Sequence, residues 1–90
     1  MQEWRKIPMT NGVYEASNDG QIRNARTKYI KRQWESTTGS MCVSIWGYNN
    51  RNYTVAQLVW NAFDGRKCRI RHINGDKSDN RIENLEPQER

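Results

Sequence analysis

One histidine, two prolines and two cysteines are all that these 90 residues contain of those types. Cys42 and Cys68 belong to no Cys-x-x-Cys pair, so no paired-thiol metal or redox motif is on offer. The expected state is two buried thiols, with a disulfide between them as the alternative. No apolar run is long enough to span a membrane, and no stretch reads as the apolar core of a signal peptide. The reading is therefore a cytosolic protein with no membrane partner. Repeats, linkers and low-complexity tracts are missing too, which leaves one small domain over 1–90 with little stability to spare. Only 34% of the residues are hydrophobic, yet four Trp, four Tyr and one Phe are present. A few large aromatics can fill a small core where aliphatics are scarce, so the chain should fold rather than stay disordered.

Charge of one sign dominates what is there. Fifteen Lys and Arg face ten Asp and Glu, for a net charge of +5. Ten of the fifteen are Arg, whose planar fork suits phosphates and base edges where Lys is a point charge. Such a surface favours a polyanionic partner, with a merely soluble basic surface as the equal alternative on composition alone. Two stretches concentrate the cations. Residues 23–32 hold Arg23, Arg26, Lys28, Lys31 and Arg32 with no acid. This stretch reads as a phosphate-contacting strand edge, or alternatively as an edge strand guarded against aggregation by its charges. The second is 66–71, where a strand would place Cys68 and Ile70 inward and Lys67, Arg69 and Arg71 outward in one row.

Between these stretches the pattern alternates. Val13 to Ser17 and Gln21 to Asn24 flank Asn18-Asp19-Gly20, a hairpin in which Gly20 supplies a positive φ. Met41, Val43 and Ile45 share one face of a further strand, with Cys42, Ser44 and Trp46 on the other. A turn over 47–52 and a strand over 53–55 complete a meander of four or five short antiparallel strands. Thr54 then caps a helix whose stripe is Val55, Leu58, Val59, Ala62 and Phe63, ended by Asp64-Gly65. Last comes His72, beside a loop rich in Asn, Gly, Asp and Ser that runs to Asn84-Leu85. A lone His next to such a turn is more often structural than chemical.

Those residues resemble a known family. Trp4-Arg5-Lys6-Ile7 followed by Gly12-x-Tyr14-Glu15-x-Ser17-x-x-Gly20-x-Ile22-Arg23 is similar to the NUMOD4 module of phage and intron HNH homing endonucleases. The helix carrying Val55, Leu58, Val59, Ala62 and Phe63 resembles the element linking that module to the nuclease core. His72 to Leu85 is similar to the first part of an HNH motif. The resemblance implies an α+β fold: a small antiparallel β-meander, one helix, and a partial ββα-metal (HNH-like) hairpin. It divides the domain into a β-sheet module over 1–53 and a helix with truncated motif over 54–90.

For the site, the resemblance assigns His72 as general base and Asn84 as the residue that steadies it. Asn74, Gly75, Asp76, Asp79 and Asn80 form the structural loop. In the family a metal-binding Asp or His precedes the base, and a second ligand follows on a helix. Here Arg71 precedes the base, with no lone pair for a cation, and the chain runs only to Arg90. Both protein ligands are therefore expected to be missing, and no cofactor is expected. Mg or Mn enters only if the chain is an active endonuclease. The preferred reading is an inactive, phage-type binder of nucleic acid, or of a host defence protein in a counter-defence role. A metal-dependent DNA endonuclease is the first alternative. Binding of a small phosphorylated nucleotide by Arg69, Arg71 and His72 is the second, weakened by the want of a Gly-rich phosphate loop. Trp34, Trp46 and Trp60 are candidates for a homodimer surface, or for core packing.

Overall fold

The computed structural model describes residues 2–45, 51–65 and 68–88. Strands β1 (Trp4–Lys6), β2 (Tyr14–Ser17) and β3 (Ile22–Asn24) form one antiparallel sheet in that order. A second sheet holds β4 (Trp34–Glu35), β5 (Met41–Ile45) and β6 (Arg51–Thr54). Helix α1 (Val55–Phe63) follows, then a two-stranded sheet of β7 (Ile70–His72) and β8 (Leu85–Pro87). The α+β class holds, but the expected single meander is two three-stranded sheets.

The reason for the split lies in residues 24–29. The Asn24 side-chain oxygen accepts the backbone N–H of Arg26 and of Thr27, each at 2.9 Å. Lys28 takes a left-handed φ of 64°, and only one isolated bridge, Arg23 to Ile30, follows. Most of the basic stretch is thus a turn, not the strand edge expected. Asn side chains make such turns by replacing backbone partners. Arg51 and Asn52 lie in β6 rather than in the preceding turn. Trp46 and most of that turn fall outside the described residues.

Helix α1 forms where expected. The Thr54 hydroxyl accepts the N–H of Gln57 at 3.2 Å, and Gly65 ends the helix with a φ of 86°. Val55, Leu58 and Val59 are fully buried, and Ala62 and Phe63 pack at the margin of the core. Trp60 is buried as well, so it belongs to the core and not to a dimer surface. α1 lies against strands of the first sheet, the second sheet and β7. Ile7 just after β1, Ala16 and Ile22 from the first sheet, Val43 and Ile45 from the second, and Leu85 from β8 share one core with it. Full burial of each Ile, Val and Leu among them contributes about 1.5–3 kcal/mol. Cys42 is a buried free thiol, but Cys68 is exposed, which corrects the inward position expected for it. β7 begins only at Ile70, so alternation does not reach Cys68.

The tip of the β2–β3 hairpin docks on the loop ahead of β8. Ile82 N–H donates to the Asn18 carbonyl at 2.9 Å, and Gln33 donates to the Gly20 carbonyl at 2.8 Å. Gly20 has a φ of 92°, and a Cβ there would stand 3.1 Å from the Asn80 carbonyl carbon. Both backbone conformation and space therefore require glycine. Gly20→Ala should destabilise the protein by about 1–3 kcal/mol, read as a lower midpoint in urea unfolding. An unchanged midpoint would show that the hairpin tip and the loop do not need this close approach.

Candidate functional site

His72 ends β7, paired across the ladder with Leu85. The chain then turns through a polar loop whose bonds are nearly all internal. The Gly75 N–H returns to the His72 carbonyl at 3.0 Å. The Asn74 side chain accepts from Asp76 N–H at 2.8 Å, and Asp76 accepts from the Ser78 N–H and hydroxyl at 2.9 and 2.6 Å. Those Ser78 bonds hold the Asp76 carboxyl below its usual range. Arg81 grips Asp79 with two parallel bonds of 2.8 Å, the bidentate geometry that suits a guanidinium. This lowers the Asp79 pKa from 3.8 to about 2.

Asn84 is buried at the centre of this loop. Its amide nitrogen donates to Asn74 Oδ1 at 3.0 Å and to the Asp79 carbonyl at 2.9 Å. Its oxygen accepts from Asn74 N–H at 3.2 Å. These bonds commit it to the loop, and among the described residues none of its hydrogen bonds reaches the imidazole. The structure corrects the expected pairing: His72 Nε2 lies 2.7 Å from Asn80 Oδ1. An amide oxygen only accepts, so Nε2 donates and the lone pair of a neutral ring is at Nδ1. Asn80 is 4% exposed, held in place where Gly20 meets its backbone. Sequence reasoning placed Asn80 in the loop but missed this role. A buried Asn in a loop of polar residues has no periodicity to mark it.

His72 and Asn80 open on a cleft of about 270 Å³. Ser40, Thr54 and Gln57 at the start of α1, Cys68, and Lys77 complete its polar lining. Lys77 Nζ is tied to the Thr38 carbonyl at 3.1 Å. Arg71 faces the opposite side of the hairpin. It pairs with Glu86 on β8, Nε to Oε2 at 3.2 Å and Nη2 to Oε1 at 3.3 Å. Neighbouring residues of a strand point to opposite faces, so Arg69, Arg71 and His72 do not converge on one anion. This removes the geometry that a nucleotide-phosphate site there would need.

Among the described residues, the polar groups around His72 do not form a ready ligand set for a divalent metal. A cation precedes the histidine, Asp79 is held by Arg81 and Asn74, and Asp76 is held by Ser78. Among the described residues no three of His, Cys, Asp and Glu gather at one point.

The cations of the basic stretch are divided between internal and outward duties. Arg23 donates to Glu15 at 2.8 Å and stacks 3.9 Å from the centre of the Trp4 ring. Lys28 reaches Glu15 at 3.4 Å, and Lys31 stands 5.7 Å from the Tyr14 ring centre. Burial of Glu15 works against its charge, but Arg23 and Lys28 outweigh it and lower its pKa. Arg26, Arg32 and Arg69 are exposed and have no ion pair among the described residues. Lys67 lies outside those residues.

A two-stranded hairpin that presents a histidine from a loop clamped by a buried Asn, backed by a helix and a small β-sheet module, is the frame of an HNH-type nuclease. The chain belongs to the HNH homing endonuclease family. The NUMOD4 motif matches residues 2–46, half of the chain, and the HNH endonuclease family HNH_3 matches residues 53–87. The structure of the HNH homing endonuclease I-HmuI, solved in work on its DNA binding and cleavage, superposes with a TM-score of 0.78 at 24% identity. The match covers 92% of this chain and 50% of that one, so the chain spans half the length of I-HmuI in that structure. No curated protein matches. Among the described residues, no helix is long and apolar enough to cross a membrane.

The loop carboxylates set an acid limit. Asp79 has a folded pKa near 2 against 3.8 when free, so its stabilising effect is complete above pH 3.8 and lost as pH falls through about 2. Glu15 and Asp76 are shifted in the same sense. The melting temperature should therefore fall across this window, and Asp79→Asn should lower it at pH 7 while flattening the acid slope. Equal slopes for variant and wild type would show that the Arg81–Asp79 pair does not contribute to acid stability.

Proposed function

We propose that this chain is a DNA-binding member of its family that does not hydrolyse DNA on its own. The observation that carries this reading is Arg71. It stands immediately before the histidine, where the family resemblance calls for a metal-ligating side chain, and it is spent on Glu86. A guanidinium stays protonated and offers no lone pair. Without a metal to stabilise the charge that develops on phosphorus, a histidine alone supplies too little.

Binding is supported by the cations left unpaired. Arg26, Arg32 and Arg69 can each displace counterions from a phosphate backbone, whereas Arg23 and Arg71 serve internal pairs. His72 and Lys77 line one cleft and present donors on the hairpin's inner side. The I-HmuI structure concerns DNA binding and cleavage, which makes DNA the partner to test first. A counter-defence role against a host protein has no feature among the described residues that favours it over DNA.

Supercoiled plasmid with Mg²⁺ or Mn²⁺ tests the hydrolytic half. The expected outcome is no nicking above a His72→Ala control; metal-dependent nicking that disappears in that variant would restore the endonuclease reading. Titration of a duplex across salt concentrations tests the other half. Log affinity should fall linearly with log salt, and Arg26→Ala, Arg32→Ala and Arg69→Ala should each reduce the slope by about 1. Arg23→Ala should mainly lower thermal stability. No binding at low salt would remove DNA as the partner.

A further inference from the structure

We infer that Ile30, Arg32 and Trp34 form a row that binds an unpaired strand of DNA, with a base stacked on the Trp34 indole and the neighbouring phosphate on Arg32. This rests on the DNA-binding reading above and adds which form of DNA this surface takes.

Strand register places both ends of the row. Ile22 is fully buried, so Arg23 beside it lies on the outer face of the first sheet. Ile30 shares that face through its antiparallel bridge to Arg23. Val43 is fully buried as well, so Cys42 and Ser44 on either side of it lie on the outer face of the second sheet. Trp34 pairs with Cys42 and shares its face. The residues between these ends are tied down from inside. Lys31 N–H donates to the Ile22 carbonyl at 2.7 Å, and its ammonium stands 5.7 Å from the Tyr14 ring centre. The Gln33 amide donates to the Gly20 carbonyl at 2.8 Å. Lys31 and Gln33 are accordingly half-buried, while every second residue, Ile30, Arg32 and Trp34, is exposed. A segment held at both ends and pinned between them loses little backbone freedom on binding.

Chemistry selects the occupant. No acid occurs from Arg23 to Trp34, and Arg32 has no ion pair among the described residues. Ile30 is 48% exposed and Trp34 41%, but a guanidinium separates them, so they do not make the continuous apolar centre of a protein interface. A second copy of the chain would set the same acid-free stretch against itself, which like charges oppose. A duplex covers its base faces with neighbours about 3.4 Å away, which leaves an indole nothing to stack on along its length. An unpaired strand exposes those faces beside its phosphates, and aromatic rings take them whatever the base. Successive members of the row stand about 6.6 Å apart on an extended chain, so Arg32 can meet a phosphate while Trp34 takes the adjoining base.

The test uses a labelled oligo-dT strand and the same strand annealed to oligo-dA, with anisotropy for affinity and tryptophan emission for stacking. Wild type should bind the single strand with quenching of its emission. Trp34→Phe should keep that affinity within about threefold and lose most of the quenching. Trp34→Ala should weaken single-strand binding by on the order of tenfold and leave duplex binding within about twofold of wild type. Arg32→Ala should reduce the single-strand salt slope by about 0.7. Melting curves separate a lost contact from a folding defect, and Trp34→Phe, which keeps an aromatic ring in place, decides the matter if Trp34→Ala does not fold. Quenching that survives in Trp34→Phe, or a folded Trp34→Ala that binds the single strand like wild type, would overturn the row. Wild type that binds the duplex and ignores the single strand would overturn it while leaving DNA binding intact. Wild type that ignores both would overturn the two readings together.

Discussion

Everything on the inner side of the hairpin depends on one close approach, that of Gly20 to the backbone of Asn80. Asn80 is the partner of His72, and it belongs to a loop with no regular structure of its own. What fixes it is the tip of a hairpin some sixty residues earlier. Gly20 supplies the space, Asn18 takes the Ile82 N–H, and Gln33 occupies the Gly20 carbonyl from the other side. The imidazole is thus oriented by the NUMOD4 portion of the chain as much as by the motif that contains it. A change at the hairpin tip would reach the histidine through two contacts, with no long-range device needed.

The same economy governs the charges. Sequence reading counts five cations in 23–32 as one patch, but a patch that large is costly to assemble in a small domain through self-repulsion. The structure divides it. Glu15, nearly buried, neutralises Arg23 and Lys28 from below, while ring faces take the guanidinium of Arg23 and the ammonium of Lys31. Lys28 stays exposed while it does so, and Arg26 and Arg32 project without an ion pair among the described residues. In the second basic stretch, Arg71 pairs with Glu86 across the ladder. Opposite charges facing each other across a two-stranded sheet are a cross-strand pair first and a ligand site second.

How much of this was legible in the sequence follows from what kind of signal each residue leaves. The β2–β3 hairpin was readable because Asn-Asp-Gly is a turn whatever surrounds it, and α1 because its stripe and its Thr54 cap are local. The order of elements, and with it the family, followed from those. The division into two sheets was not readable, since it depends on Asn24 capping its own turn where a basic run looked like a continuous edge. Nor was the exposure of Cys68, because alternation gives a side only once a strand has begun. The exchange between Asn84 and Asn80 is the clearest case. Both are Asn, both buried, both in the motif, and the roles differ only in which atoms lie within reach after the loop has closed.

That exchange bears on why the hairpin keeps its shape. Small sites that rely on a metal for folding tend to have ligands that are otherwise unpaired. Here the opposite holds. Asn84 spans the loop with three bonds to Asn74 and Asp79, Arg81 fastens Asp79 from outside, and Asp76 closes the turn through Ser78. Each carboxylate in the loop already has its counterpart. A loop satisfied from within can hold His72 and Lys77 in a fixed relation over the cleft without any ion.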